Sequence, residues 1–148
     1  MNFVNYSVKI GKEINTKDID EILDLIGWGR YEPEQWINVK EKSTFMVSVL
    51  SAEKTIGFAR VIDDTCMAMI YDVAVHPAHQ KKGVGTLLMN EILKYINANR
   101  FVYVNLFYDM NNKGLDNFYR KFGFERRILQ ALYQDCTFRF YRYLLQQQ

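Results

Sequence analysis

Proline is scarce in this chain, at two residues in 148, and cysteine is equally rare. Cys66 and Cys136 stand far apart, with no Cys-x-x-Cys spacing and no Cys/His cluster, which argues against a disulfide scaffold and a metal site. No stretch reaches the roughly 18 apolar residues of a membrane helix. The N-terminus, "MNFVNYSVKIGKEINTKDID", has neither a basic start running into an apolar segment nor a small-residue cleavage site, so no secretory leader is expected. Nor does one charge dominate. The 19 basic and 17 acidic residues are scattered along the chain for a net charge of +2, without the Lys/Arg runs of a nucleic-acid-binding arm. These absences lead us to expect a cytoplasmic protein with reduced thiols that binds neither nucleic acid nor membrane, with Cys66 a buried structural thiol.

What is present is the composition of a folded domain: 49% hydrophobic residues against 24% charged, and no low-complexity tract. A chain of this length buries about 68–70% of its unfolded surface, and residues 1–148 are expected to form one domain. Tyr6 to Ile10 alternates as a short strand. Thr16 or Asp18 can then cap a helix carrying Ile19, Ile22, Leu23 and Ile26 at helical spacing, which Gly27 and Gly29 end. Trp28, Tyr31 and Trp36 gather around that break, and Glu32, Pro33 and Glu34 open a second short helix to about Glu41.

Two β-rich runs follow, "TFMVSVL" and "TIGFARVID", then the turn at Asp63-Asp64 and a third run, "MAMIYDVAV". After a helix from Gly83 to about Asn97, "FVYVNLF" has the near-continuous apolar character of a strand buried on both faces. A helix around Leu115 to Phe122 is ended by Gly123, and two further β-rich segments close the chain. The order β-α-α-β-β-β-α-β-α-β-β predicts an α+β domain, a mixed sheet flanked by helices with one parallel crossover. The second closing segment, "TFRFYRYLL", is apolar and aromatic on both faces, which suits a central strand or one that meets another subunit in a homodimer.

The segment "HPAHQKKGVGTLLMNEIL" concentrates the chemistry. A helix N-terminus leaves amide N–H groups unpaired and carries roughly half a positive charge, so it binds phosphate. Gly83 and Gly85 bracket the first turn and let a ligand approach the backbone, and Lys81 and Lys82 stand beside it; the alternative is a tight turn with solvated lysines. A dinucleotide fingerprint would need a third glycine where Leu88 stands, and a P-loop needs a longer glycine spacing followed by Lys and Ser or Thr. Neither fits.

The remaining pattern, Gln80-x-x-Gly83-x-Gly85 between the strand "YDVAVHP" and an apolar helix face, together with "NKGLDNFYRKFGF" further on, resembles the GCN5-related N-acetyltransferase (GNAT) family. The resemblance runs from about Thr44 to Phe124, with Gln80 where Arg is commoner and Leu115 where a small residue is usual. It implies a central mixed, mostly antiparallel sheet of about six to seven strands with about four helices. It further implies acetyl-CoA as co-substrate and acetyl transfer to an amine by direct attack in a ternary complex. On it, the turn Gln80, Lys81, Lys82, Gly83, Val84, Gly85 and Thr86 holds the pyrophosphate of coenzyme A, and the pantetheine arm pairs with the backbone of Val73 and Val75. The Val73 N–H matches the oxyanion donor. Tyr119 matches the tyrosine that protonates the departing thiolate, the alternative being a core aromatic beside Phe118 and Phe122. Asn112 matches the Asn that contacts the cofactor arm or a nearby water.

A primary amine with a pKa near 10.4 is only about one part in 10³ neutral at pH 7, so its proton must be removed before attack. Asp72, or a water chain near Tyr71, is the candidate acceptor, an ordinary strand-edge carboxylate being the other reading of Asp72. His76 and His79, beside Pro77, read as surface-loop residues. In the family the segment after the first strand shapes the acceptor site. The resemblance therefore makes Trp28, Tyr31, Glu32 and Asp72 its lining, unless Trp28 and Trp36 only pin helices to the sheet. Aromatics with carboxylates suit a small-molecule primary amine. A protein N-terminus or lysine, and a non-catalytic acyl-CoA-binding module, remain the alternatives.

Overall fold

In the computed structural model, residues 5–109 and 111–126 are described. Cys136 and the segment "TFRFYRYLL", with its readings as central strand or homodimer contact, lie outside them. The chain divides into two compact units, one ending at Phe107 and the other beginning at Tyr108.

The first unit is built on five strands: β1 (Tyr6–Ile10), β2 (Phe45–Ser51), β3 (Lys54–Asp63), β4 (Met67–Val75) and β5 (Tyr103–Leu106). They lie in sequence order, antiparallel from β1 to β4 and parallel between β4 and β5. This is the expected mixed, mostly antiparallel α+β sheet. Five strands stand among the described residues where six to seven were expected, and the predicted closing strands fall beyond them.

Helices α1 (Thr16–Leu25) and α2 (Pro33–Lys42) precede β2, and α3 (Val84–Asn99) makes the crossover from β4 to β5. The cap of α1 is Asn15, whose side chain accepts from the Asp18 N–H, and not Thr16 or Asp18. An Asn one residue before the helix satisfies an orphan amide as well as Thr or Asp does, so composition alone did not separate them.

The strands send alternate side chains to two cores. Met46, Phe58 and Ala74 pack with Ile19, Ile22 and Leu23 of α1 and with Trp36 of α2, while α3 buries Val84, Leu88, Met89, Ile92 and Ile96. Gly57, in the middle of β3, is where α3 comes closest. A Cβ built there would lie 2.6 Å from Val84 Cγ1, 3.4 Å from Leu88 Cδ1 and 3.5 Å from Val49 Cβ. Only a glycine lets the first turn of α3 rest on the sheet at this height.

The run around β5 is not buried on both faces. Val102, Tyr103 and Phe107 are exposed, because among the described residues β5 pairs on one side only. An apolar run reads alike for an edge and a central strand; partners decide which it is.

The second unit contains α4 (Lys113–Arg120), which Gly123 follows in left-handed conformation at φ +84°. Asp116 accepts from the Tyr108 hydroxyl at 2.6 Å and from Arg120 Nε at 2.8 Å.

Candidate active site

At β4 the regular ladder fails. Phe58 pairs with Ala74 and Arg60 with Tyr71, so Asp72 and Val73 together face Ala59, one residue of β4 too many. This is a β-bulge, and Asp72 forms it in the left-handed region at φ +55°, a conformation Asp tolerates better than most residues. The ladder to β5 ends at the same level, with Ile70 opposite Leu106. Beyond it, no described strand pairs with that side of Tyr71 to Val75.

The open edge presents amides. The His76 N–H donates to the Ile56 carbonyl of β3 at 2.9 Å, and N–H groups alternate in direction along a strand, so the amides of Val75 and Val73 point away from β3. An extended ligand can pair with them as an added strand would. The Val75 carbonyl is already held by Gln80 Nε2 at 3.1 Å. Gln80 therefore ties the end of β4 to the turn.

That turn runs from a short 3₁₀ segment, Pro77–His79, into α3. His76 and His79 are not loop residues in solvent but half-buried parts of this segment. His76 Nδ1 accepts from the Ala78 N–H at 3.2 Å, and the Tyr6 hydroxyl meets His79 Nδ1 at 3.0 Å. Burial first, then the neighbouring charges of His76 and Lys82, hold the His79 imidazole below its ordinary pKa.

Lys81 at φ +57° and Gly83 at φ +87° turn the chain so that Gly83 becomes the N-cap of α3, with no side chain capping the helix. The first amides of α3 are thereby left without side-chain partners. Lys81, Lys82, Gly83 and Thr86 are exposed around them, and Lys82 Nζ donates to the Ala78 carbonyl at 2.8 Å. Uncapped amides at the positive end of a 16-residue helix, with two lysines alongside, suit a pyrophosphate. The side chain of Val84 is not part of such a surface. It is 1% exposed and packs into the core, so only its amide is available to a ligand.

On the α1/α2 face of the bulge, Asp72 is not an edge carboxylate in solvent. Arg60 Nε donates to its Oδ2 at 2.5 Å, and the Tyr31 hydroxyl donates to Oδ1 and Oδ2 at 3.1 and 3.2 Å. Arg60 is 8% exposed, lies 4.9 Å from the centroid of the Tyr71 ring, and reaches Ser43 Oγ with Nη1 at 3.5 Å. Burial works against its charge, but Asp72 outweighs it and keeps the guanidinium pKa raised. Burial, then the charge of Asp72, pushes the Tyr31 hydroxyl up to about 12, so it stays a donor.

Sequence reasoning missed Arg60. Only its burial gives it away: an arginine between two residues of zero exposure, Ala59 and Val61, must find an anion, and that burial is a property of the folded sheet.

Of the aromatic group around the α1–α2 break, Trp36 is a core residue, 5% exposed, edge-on to Phe58 and Tyr31, with its indole N–H donating to Asp20 Oδ1 at 2.9 Å. Trp28 is 37% exposed, and Glu32 stands exposed at the N-cap of α2, where its N–H donates to Gln35 Oε1 at 2.8 Å. Cys66, expected to be buried, is an exposed free thiol. It sits in the β3–β4 turn, where Asp64 Oδ1 accepts from its N–H at 3.0 Å.

The remaining predicted residues belong to the second unit. Asn112 is the N-cap of α4. Tyr119 is 6% exposed, with ring centroids of Phe118, Tyr108 and Phe124 at 5.1, 5.9 and 6.2 Å. Its hydroxyl makes no hydrogen bond among the described residues, and burial pushes its pKa up to about 12.

Comparison with known proteins shows the family to which this fold belongs. Residues 15–124 match the family model described as Acetyltransferase (GNAT) family. The chain is 32% identical over 127 residues to the uncharacterized N-acetyltransferase ycf52 of Gracilaria tenuistipitata var. liui, covering 82% of this chain and 68% of that protein. It is 27% identical over 137 residues to the chloroplastic GCN5-related N-acetyltransferase 2 of Arabidopsis thaliana, covering 78% and 52%. A crystal structure of a "Probable Acetyltransferase" from Meticillin-resistant Staphylococcus aureus superposes with a TM-score of 0.75 at 29% identity, covering 88% of this chain and all of that one.

Proposed function

Because the chain belongs to the GNAT acetyltransferase family, and so is an acetyl-CoA-dependent acetyltransferase, we propose that it acetylates a small-molecule primary amine by direct attack. One observation carries the site assignment: within one compact unit, a bulged strand with outward amides leads straight into an uncapped, lysine-flanked helix N-terminus. These features fit the two parts of coenzyme A, an extended arm and a pyrophosphate.

Acetyl-CoA supplies an acyl group activated as a thioester. The amides of Gly83, Gly85 and Thr86, the Thr86 hydroxyl and the charges of Lys81 and Lys82 hold the phosphates, and the Val75 amide aligns the arm. The Val73 N–H stabilises the negative charge that develops on the acyl oxygen, where such a donor contributes about 2.7–4 kcal/mol.

As the amine bonds to the acyl carbon and the carbon–sulfur bond breaks, the amine's proton leaves to water beside Tyr71. Asp72 is already engaged by Arg60 and Tyr31, which supports the water route over direct transfer to this carboxylate. The family resemblance assigns Tyr119 the role of hydrogen-bond donor to the departing sulfur. With its pKa near 12 against about 8.5 for a thiol, full proton transfer is uphill by roughly 5 kcal/mol. Its contribution is therefore stabilisation of the thiolate, with the proton completed from solvent. Asn112 orients the arm or its water.

Trp28, Tyr31 and Glu32 line the acceptor side, an aromatic and acidic surface that suits an amine on an apolar or cationic body. A cytoplasmic location belongs to the same proposal.

The test is thiol release from acetyl-CoA across polyamines, arylalkylamines, amino acids and peptides, beside direct binding of coenzyme A. Release with a small amine, faster than with any peptide, is the expected result. Faster release with peptides would move the acceptor to a protein N-terminus or lysine. Binding without release for any amine would make the chain an acyl-CoA-binding module.

A further inference from the structure

We infer that Arg60 is a positioning residue for the reaction: it locks the β4 bulge so that the Val73 amide is presented to the acyl oxygen. The inference rests on the assignment of Val73 as oxyanion donor.

A left-handed residue inside a strand is a strained element that persists only where its surroundings hold it. Here the holding group is visible. Asp72, at φ +55°, has both carboxylate oxygens taken, by Arg60 from the neighbouring strand and by Tyr31 from the α1–α2 connection. The guanidinium is fixed in turn by Ser43 Oγ, at the end of α2, and by the face of Tyr71, the residue before the bulge. The Arg60 and Asp72 side chains are 10% and 12% exposed, so water competes little for the pair.

Arg60 and Tyr31 thus converge on Asp72, with Ser43 and Tyr71 holding Arg60 behind it, and the irregular feature they surround is the backbone turn that precedes Val73. A charge buried among apolar strand residues is otherwise costly, and an aliphatic side chain would serve packing alone better. What the pair adds is direction: the Arg60 Nε–H, on a guanidinium held by Ser43 and the Tyr71 ring, fixes the Asp72 carboxylate and, through it, the plane of the next peptide, whose N–H belongs to Val73.

The consequence for chemistry is separable from fold. With Arg60→Met the bulge relaxes toward a regular ladder, the Val73 amide loses its aim, and kcat falls ten- to hundredfold. Coenzyme A affinity stays within about threefold, because the phosphate turn hangs on Gly57 and α3 and not on Asp72.

Infrared difference spectroscopy of bound acetyl-CoA, labelled with ¹³C at the acetyl carbonyl, reads the hydrogen bond itself. Wild-type protein should lower the carbonyl stretching frequency relative to free acetyl-CoA, and Arg60→Met should abolish that lowering. If Arg60→Met does not fold for want of a partner to Asp72, the double variant Arg60→Met/Asp72→Asn buries no unpaired charge and must show the same loss.

No lowering in the wild type would overturn the Val73 assignment. A lowering that survives in the variants, with kcat near wild type, would overturn the lock and leave Val73 standing. Loss of coenzyme A affinity in proportion to kcat would mean general damage and also overturn it.

Discussion

Gly57→Ala separates the seat of α3 from the chemistry it supports. The new Cβ would lie 2.6 Å from Val84 Cγ1, whereas carbon atoms rest at about 3.5–4.0 Å, so the two must part by roughly 1 Å. Val84 cannot swing aside: it is β-branched, 1% exposed and the first residue of α3. The helix N-terminus has to lift. Overpacking of this kind costs about 1–3 kcal/mol, offset by the roughly 0.5–1 kcal/mol that replacing a mid-strand glycine returns. We therefore expect a net loss of about 0–2.5 kcal/mol centred near 1, or a Tm lower by about 2–4 °C at that centre for a chain of this size.

The functional loss should be larger in proportion. An amide moved by about 1 Å no longer makes a hydrogen bond of normal length, and losing one or two such bonds to phosphate weakens coenzyme A binding about 10- to 100-fold. The assays are urea unfolding and isothermal titration with coenzyme A. Adding Val84→Ala to Gly57→Ala removes the offending methyl and should restore much of the affinity, even though it opens a small cavity of its own. Unchanged affinity in Gly57→Ala, or no recovery in the double variant, would refute the seating argument.

Tyr119→Phe should keep coenzyme A affinity and lower kcat by about 10- to 100-fold, the worth of one hydrogen bond to a charged thiolate at roughly 1.5–3 kcal/mol; an unchanged kcat with the best amine at every pH would leave Tyr119 a packing residue. Gly85→Asp places a carboxylate among the phosphate-binding amides and should abolish the thermal stabilisation by coenzyme A, which otherwise reaches about 2.7 kcal/mol at 100 times Kd; a folded variant with a normal shift would reject the turn as the phosphate site. The depressed pKa of His79 means that the unfolded chain takes up its proton first as pH falls. Folding stability from this group is therefore complete above its ordinary value of 6.5 and is lost as pH drops toward the folded pKa. Urea unfolding between pH 5 and 7 should show stability rising with pH, and His79→Gln should flatten that slope.

The strands β1 to β4 and the helices were legible in the sequence almost residue by residue, because period and turn chemistry are local signals. The glycine turn into α3 was legible for the same reason. Gly83 adopts a positive φ immediately before an apolar helix, and two lysines precede it, all within one short segment. The sequence also determined that β4 leads into that turn.

The rest depended on residues distant in the chain meeting in space. Asp72 read as a free carboxylate until Arg60 and Tyr31 were brought against it from two other segments, with Ser43 behind Arg60, and no local pattern announces an ion pair across two strands. Trp36 and Trp28 looked equivalent as aromatics, yet one fills the core against Phe58 from the sheet-facing side of α2, while the other lies in the bend after α1 and is more exposed. The bulge belongs to tertiary structure alone. "MAMIYDVAV" alternates well enough for an unbroken strand, and only its register against β3 shows that it carries one residue more than its partner can match.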